Sequence, residues 1–492
     1  MSRFDSYLAV SADDLRVQTA RAGRRAAVGQ GASLLIGLGS VSVLARLLAP
    51  DDFGLVAMVA VLIGVLGFFS EGGLSTATVQ RKLLTQGQVS NLFWANVVAG
   101  VLVACLAAAL SPLVAWVFGR PEVARICLAL ATNFAITGLG VQHGALLRRR
   151  LEMNRLNIAT IASAGAGALI AAAAAYGGLG YWSLVAQAVG SNAIRVILLW
   201  ALCPWRPSLP SRGTGARPML MFGSALTGAN LLGYLYRKSD DLLIGWYWGA
   251  QSLGLYSRAY SLLMQPLQQA AWPIASVLLP ALSRLQDDPE RFRRGYRDAI
   301  LAVSSVTLPV TGCMLACSRP LVLTLLGPEW EEVIGIYRAL GPAAVLSSTT
   351  SIATGLAYSA LGRGMQAFRW TLLSVPITVG GFAIALPYGP TWVALTLSTC
   401  QAVLCLPQLL NAFRDTPLRL RDYASAIVRP AAAMGIAAVI ATGVLHTLRD
   451  DWVPVLQLTI VVPPFALSYG LCWYLLPGGS KKWAVMKTAF HR

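Results

Sequence analysis

Tyr236-Arg237-Lys238-Ser239-Asp240-Asp241 sets four charges inside a hydrophobic run that begins near Pro218 and ends near Gly249. A bilayer is crossed by about 20 apolar residues in a helix, and this run is long enough. A charged side chain near the bilayer centre costs roughly 2.5–3.5 kcal/mol on insertion scales, so such a cluster is tolerated where it faces a bundle interior or a watery cavity. Two readings stand. Arg237 with Asp241 at i, i+4 and Lys238 with Asp241 at i, i+3 neutralise each other along one helix face. Alternatively, those pairs open to a ligand.

Working outward, the whole chain shares the character of this run. It is 56% hydrophobic and 12% charged over 492 residues, with a mean hydropathy of +0.61. No soluble chain of this length has such a composition, so an all-α polytopic membrane protein is expected, with about 14 spans. The net charge of +18 would point to nucleic acid in a soluble protein, but its placement excludes that. With the N-terminus taken as cytoplasmic, 29 Lys and Arg fall in cytoplasmic segments, against Arg120, Arg125, Arg319 and Arg449 on the other side. That asymmetry obeys the positive-inside rule and puts both termini in the cytoplasm. The 8 cysteines lie in or beside apolar spans with no disulfide or ligand spacing. No metal site, cofactor motif, phosphate-binding loop or cleavable signal is present in the pattern.

The expected plan is a cytoplasmic lead-in (1–25), an N-lobe of six spans (26–203), a Pro- and Gly-rich linker (204–217), a C-lobe of six spans (218–412), two accessory spans (413–476) and a cytoplasmic tail (477–492). The turn Pro50-Asp51-Asp52-Phe53-Gly54-Leu55 recurs at an offset of 200 as Ala250-Gln251-Ser252-Leu253-Gly254-Leu255, and Tyr176-Gly177 recurs later as Tyr388-Gly389. Six spans restore the starting side, so the lobes read as parallel repeats. Span eight carries Pro266, Pro273 and Pro280 and is expected to bend. Residues 284–294 read as an amphipathic helix on the headgroups. His143, near the cytoplasmic end of span four, reads as a hydrogen-bonded interfacial histidine rather than a proton relay.

Once the anchoring charges are set aside, Arg46, Arg195, Arg237, Lys238, Arg258 and Arg338 remain in or at the ends of spans, against Glu71, Asp240 and Asp241. Arginine binds phosphate bidentately and lysine as a point charge. The interior therefore suits a substrate with phosphate or carboxylate. Glu71, beside Gly72-Gly73, and the Asp240/Asp241 pair are candidates for ion coupling or charge pairing.

Ala45-Arg46-Leu47-Leu48-Ala49-Pro50-Asp51-Asp52-Phe53-Gly54-Leu55-Val56-Ala57-Met58 resembles the start of Wzx-type polysaccharide transporters. These are lipid-linked oligosaccharide flippases of the multidrug/oligosaccharidyl-lipid/polysaccharide superfamily. Asp240-Asp241-Leu242-Leu243-Ile244-Gly245, Gly254-Leu255-Tyr256-Ser257-Arg258-Ala259-Tyr260 and Gly327-Pro328-Glu329-Trp330 look like further blocks of that family. The resemblance runs over about residues 20–425. It implies transfer of an undecaprenyl-pyrophosphate-linked sugar repeat unit from the inner to the outer leaflet of a bacterial cytoplasmic membrane, by alternating access between lobes. The polymer served would be an exopolysaccharide or lipopolysaccharide, with membrane lipids, a polymerase and a chain-length regulator as partners. Carried over onto this chain, Arg46, Arg237, Asp240 and Arg258 fall in matching blocks, with arginines meeting the pyrophosphate; Asp241 departs from the family pattern. Two rivals are a drug exporter of the same superfamily, which the cationic interior opposes, and a membrane glycosyltransferase or polymerase using Asp51-Asp52, which the short outer loops oppose.

Overall fold

The computed structural model describes residues 15–71, 75, 78–79, 84–211, 233–448 and 452–476, with side chains undescribed at 15–28, 71, 272, 273 and 276. Among the described residues every regular element is helical. Ten helices are long and apolar enough to cross a membrane, and Gly29–Ala45 is a shorter apolar helix. The chain is thus an all-α polytopic membrane protein. Residues 212–232, where the first part of the seventh span was expected, lie outside the described residues, as do the tail at 477–492 and the start of the lead-in. The chain divides into two compact units, Met1–Gly254 and Leu255–Arg492.

The first unit holds α1 (Leu15–Ala45), α2 (Pro50–Glu71), α3 (Gln86–Phe118), α4 (Pro121–Arg149), α5 (Met153–Tyr176) and α6 (Trp182–Leu202). Helix α2 starts on Pro50, whose missing N–H is no loss at a first helical position, and Asp51 and Asp52 complement the N-terminal dipole. Helix α3 opens with a capping box between Thr85 and Gln88. Helix α5 packs on α1 and α6 because it buries a row of small residues four apart: Ala159, Ser163, Gly167, Ala171 and Ala175. Without a hydrophobic force between helices in lipid, close backbone approach along such a row is what holds them.

The expected linker is no loose tether over its described part. Trp205 is fully buried and donates through Nε1 to Gln86 at 2.7 Å. Ser208 bonds Ser90, and the Ser211 backbone bonds Asn91 at 2.9 Å. The segment is pinned along the first turns of α3, and 212–217 lie outside the described residues. His143 is buried within the protein, stacked on Trp200 at 4.4 Å between ring centroids, with Trp205 and Phe93 completing an aromatic cluster.

Helix α7 (Ser239–Ser283) runs across the division, and its non-helical residue is Gly249, at φ 78°. The chain bends there, where a side chain would be strained, while the backbone stays helical through Pro266, Pro273 and Pro280. Gly249 thus separates the end of span seven from span eight. A new helical segment begins at Ala250, 200 residues after the Pro50 onset of α2.

The second unit continues with α8 (Pro289–Ala316), α9 (Ser318–Leu325), α10 (Val333–Ala339), α11 (Gly341–Leu346), a π-helical turn at Ser347–Ser351, α12 (Ile352–Ala360), α13 (Gly364–Ala385), α14 (Pro390–Phe413), α15 (Leu420–Thr447) and α16 (Pro454–Leu475). Residues 284–294 do not form a separate surface helix. Asp288 caps α8 by accepting from the Arg291 N–H at 3.1 Å, Pro289 takes the first position, and the rest is the first turn and a half of a membrane helix. Helices α8 and α15 pack together and are clamped by a bidentate pair, Arg293 to Asp422, at 3.0 Å for both bonds.

Candidate functional site

Helix α6 follows the Gly178–Gly180 turn and stops at Cys203, where the backbone turns extended before Pro204. One stripe of it is polar. Gln187, Ser191, Asn192 and Arg195 recur at i, i+4, i+5 and i+8, which gathers them on one side of a helix otherwise built from Val, Ile, Leu and Ala. That stripe faces a cavity of about 330 Å³ shared with α1 and α5, whose polar wall adds Ser40, Thr160 and Ser163 to Gln187, Ser191, Asn192 and Arg195. Ligand cavities of roughly 300–1,000 Å³ with a few convergent polar groups are the usual form of a small-molecule site.

The wall is ordered by its own hydrogen bonds. Gln187 Nε2 donates to Ser40 Oγ at 2.8 Å, joining α6 to α1. Asn192 Nδ2 lies 3.1 Å from the Asn133 carbonyl, 3.1 Å from Asn133 Oδ1 and 3.0 Å from Thr137 Oγ1, joining α6 to α4. Arg195 is exposed and lines both this cavity and a second of about 50 Å³ on the α4 side, which also holds Thr137 and Arg148. Neither lining includes a carboxylate among the described residues. A guanidinium, hydroxyls and amides offer charge-assisted bonds to an anion and neutral bonds to an uncharged polyol.

The opening hexapeptide resolves into one pair and one uncommitted cation. Lys238 is a turn residue between helical segments, and its Nζ sits 2.5 Å from Asp241 Oδ2, with Asp241 buried. Asp240 is buried too, and its Oδ1 accepts the Asp241 N–H at 2.9 Å. Arg237 is exposed and makes no ion pair among the described residues, because the turn at Lys238 breaks the i, i+4 register. Nearby Tyr234 donates to the Ala60 carbonyl at 3.1 Å and packs edge-on to Phe68, fastening this segment to α2.

Arg46 follows the last turn of α1 and is exposed. Arg258, in the second unit, is half-buried on α7. Arg338 on α10 donates through Nε to Ser318 Oγ of α9 at 2.9 Å. The Glu71 side chain lies outside the described residues. Within the first unit, then, Arg195 has a formed polar cavity around it. Sequence reasoning found that arginine but missed its neighbours, although the Gln187-Ser191-Asn192-Arg195 spacing carried the signal. It also missed the π-helical Ser347–Ser351, where Thr307 Oγ1 satisfies the Ser348 carbonyl at 3.2 Å.

Asp51 and Asp52, the acids of the enzymatic rival, are both held in structural bonds. Asp51 pairs with Arg120 at 3.0 Å and keeps that guanidinium above its usual pKa by accepting its hydrogen bond. Asp52 Oδ2 accepts the Ala49 N–H at 3.1 Å at the start of α2.

In comparisons with known proteins, the chain is 26% identical to the lipopolysaccharide biosynthesis protein WzxC of Escherichia coli, covering 79% of this chain and 81% of that protein. It is 25% identical to the succinoglycan biosynthesis transport protein ExoT of Rhizobium meliloti, covering 70% and 69%. Among solved structures the fold matches the lipid II flippase MurJ in an inward closed conformation, at a TM-score of 0.72 and 13% identity over 91% of this chain and 98% of that one. It also matches an inward-facing multidrug resistance MATE family transporter of the MOP superfamily, at 0.63 and 14% over 77% and 94%. Residues 43–335 fit the family model described as polysaccharide biosynthesis protein, and with more than half of its length matched, this chain belongs to that family.

Proposed function

We propose that this protein is a transporter, not an enzyme, and that it flips a lipid-linked oligosaccharide from the inner to the outer leaflet of a bacterial inner membrane for polysaccharide synthesis. The observation that carries the reading is the hydroxyl- and amide-walled cavity with Arg195 inside a bundle of membrane helices. Charged and polar side chains on membrane-spanning helices are expensive and mark a substrate path. The guanidinium suits a pyrophosphate and the wall suits sugar hydroxyls. A family named for polysaccharide biosynthesis, and a relative named for transport, support the same assignment.

In this reading Arg46, Arg237, Lys238, Arg258 and Arg338 supply further contacts to the pyrophosphate as it moves. Glu71 and the Asp240/Asp241 pair couple the step to an ion or balance its charge. Fourteen spans, with both termini cytoplasmic, complete the plan, and the flipped units feed a polymerase and chain-length regulator. The cavity lining without carboxylates disfavours the drug-exporter rival, since a cationic drug needs an anionic partner. The test is flipping by purified protein in vesicles loaded with undecaprenyl-pyrophosphate oligosaccharide. Arg195→Gln is expected to lose at least tenfold in rate, the scale of one charge-assisted contact worth about 1.5–3 kcal/mol, with Arg195→Lys recovering part. A wild-type rate in Arg195→Gln contradicts the assignment.

A further inference from the structure

At the end where α15 begins and α16 finishes, a cavity of about 460 Å³ is lined by Arg421, Ser425, Val428, Arg429, Ala432 and Leu476. Residues 421, 425, 428 and 432 recur at i, i+4, i+7 and i+11, so one face of α15 carries them, and all four are exposed. The face continues away from the arginines as bare hydrocarbon through Ile436, 44% exposed, and Val439, 71% exposed. It has a cationic head and an apolar track.

Among the described residues the head has no counter-ion of its own. Asp422, the adjacent carboxylate, is spent on the bidentate bond to Arg293 and on the Arg419 N–H at 3.0 Å. Among the described residues no carboxylate pairs with Arg421 or Arg429. Residues 477–492, which follow Leu476, contain no Asp or Glu and add Lys481 and Lys482. Arg429 is moreover fixed in place. Its guanidinium lies 5.7 Å from the centroid of the Trp473 ring, Nη2 donates to the Leu476 carbonyl at 3.1 Å, and Nη1 is buried without a hydrogen-bond partner among the described residues. A held guanidinium loses little freedom when it binds an anion, and one nine residues into a membrane helix is costly without one.

We propose that this groove is a binding site for an anionic phospholipid, with its phosphate on Arg421 and Arg429 and an acyl chain along Val428, Ala432, Ile436 and Val439. A zwitterionic headgroup brings a cation to a site that already has two, so the net negative lipid is favoured. The site is independent of the Arg195 cavity and does not rest on the flippase reading.

The experiment is native mass spectrometry of the purified full chain with added phosphatidylglycerol or phosphatidylcholine, comparing wild type with Arg421→Gln and with Arg421→Gln/Arg429→Gln. Wild type is expected to retain one more phosphatidylglycerol than the double variant, with affinity falling about tenfold on loss of each arginine and no matching change for phosphatidylcholine. Arg421 is exposed, so its single variant reads the site even if the double variant folds poorly. Equal phosphatidylglycerol retention in wild type and Arg421→Gln overturns the proposal. Displacement of the lipid by millimolar inorganic phosphate assigns the site to a free anion. Preferential displacement by undecaprenyl phosphate assigns it to the carrier lipid. Either displacement also overturns the proposal.

Discussion

Lys238 and Asp241 form a pair in which one partner is half-buried and the other buried, so neither charge is easily given back to water. Asp241→Asn leaves the ammonium without its counter-charge at a cost of about 1–3 kcal/mol, read as a lower apparent Tm of the detergent-solubilised protein. Adding Lys238→Gln to that variant is expected to recover part of the loss, because the stranded charge is then gone. Arg237, three and four residues from Asp240 and Asp241 and unpaired with them, is expected to behave oppositely. Arg237→Ala leaves the apparent Tm close to wild type, within the roughly 0.5 kcal/mol typical of surface substitutions, yet slows flipping. A normal flipping rate in that variant removes Arg237 from the pyrophosphate path. The Lys238–Asp241 pair was legible in the i, i+3 spacing, and Arg195 was legible as a charge in mid-span. The Ser40, Ser163 and Asn133 partners were not, because single hydroxyls and amides on separate helices mean nothing until the packing of α1, α4, α5 and α6 brings them together.

Where α2 begins and where helix resumes after Gly249, two glycines make the close approach possible. A Cβ on Gly54 would collide with the Ala250 carbonyl, and a Cβ on Gly254 with the Pro50 carbonyl. With residues 50 and 250, and 54 and 254, at matching places of the repeat, these are one contact made twice, as around a local two-fold axis. Gly54→Ala and Gly254→Ala are each expected to destabilise by about 1–3 kcal/mol through overpacking. Because both act on the same crossing, the double variant should lose less than the sum, a non-additivity that a double-mutant cycle on unfolding measures. Additive losses would mean the two contacts give way independently. The onset at 250 was legible from the 200-residue offset. The touching of the two onsets was not, since a repeat in sequence fixes no distance in space.

For the whole molecule, composition and the distribution of arginine foretold a polytopic helical chain, and the family match agrees with the blocks around Arg46, Asp240 and Arg258. The Pro-rich segment read as a linker is sewn, over its described part, to α3 by Trp205 and Ser208, contacts that no spacing in the sequence announces. The proposal that ties these features together is that the hydroxyl- and amide-walled cavity at Arg195 serves an anionic sugar lipid. Leaflet-resolved labelling of lipid-linked oligosaccharide, in cells with the protein and in cells depleted of it, tests this most directly. Accumulation of labelled units in the inner leaflet on depletion is the expected result, reversed by wild-type protein and not by Arg195→Gln. Units that reach the outer leaflet normally in depleted cells but remain unpolymerised would contradict it.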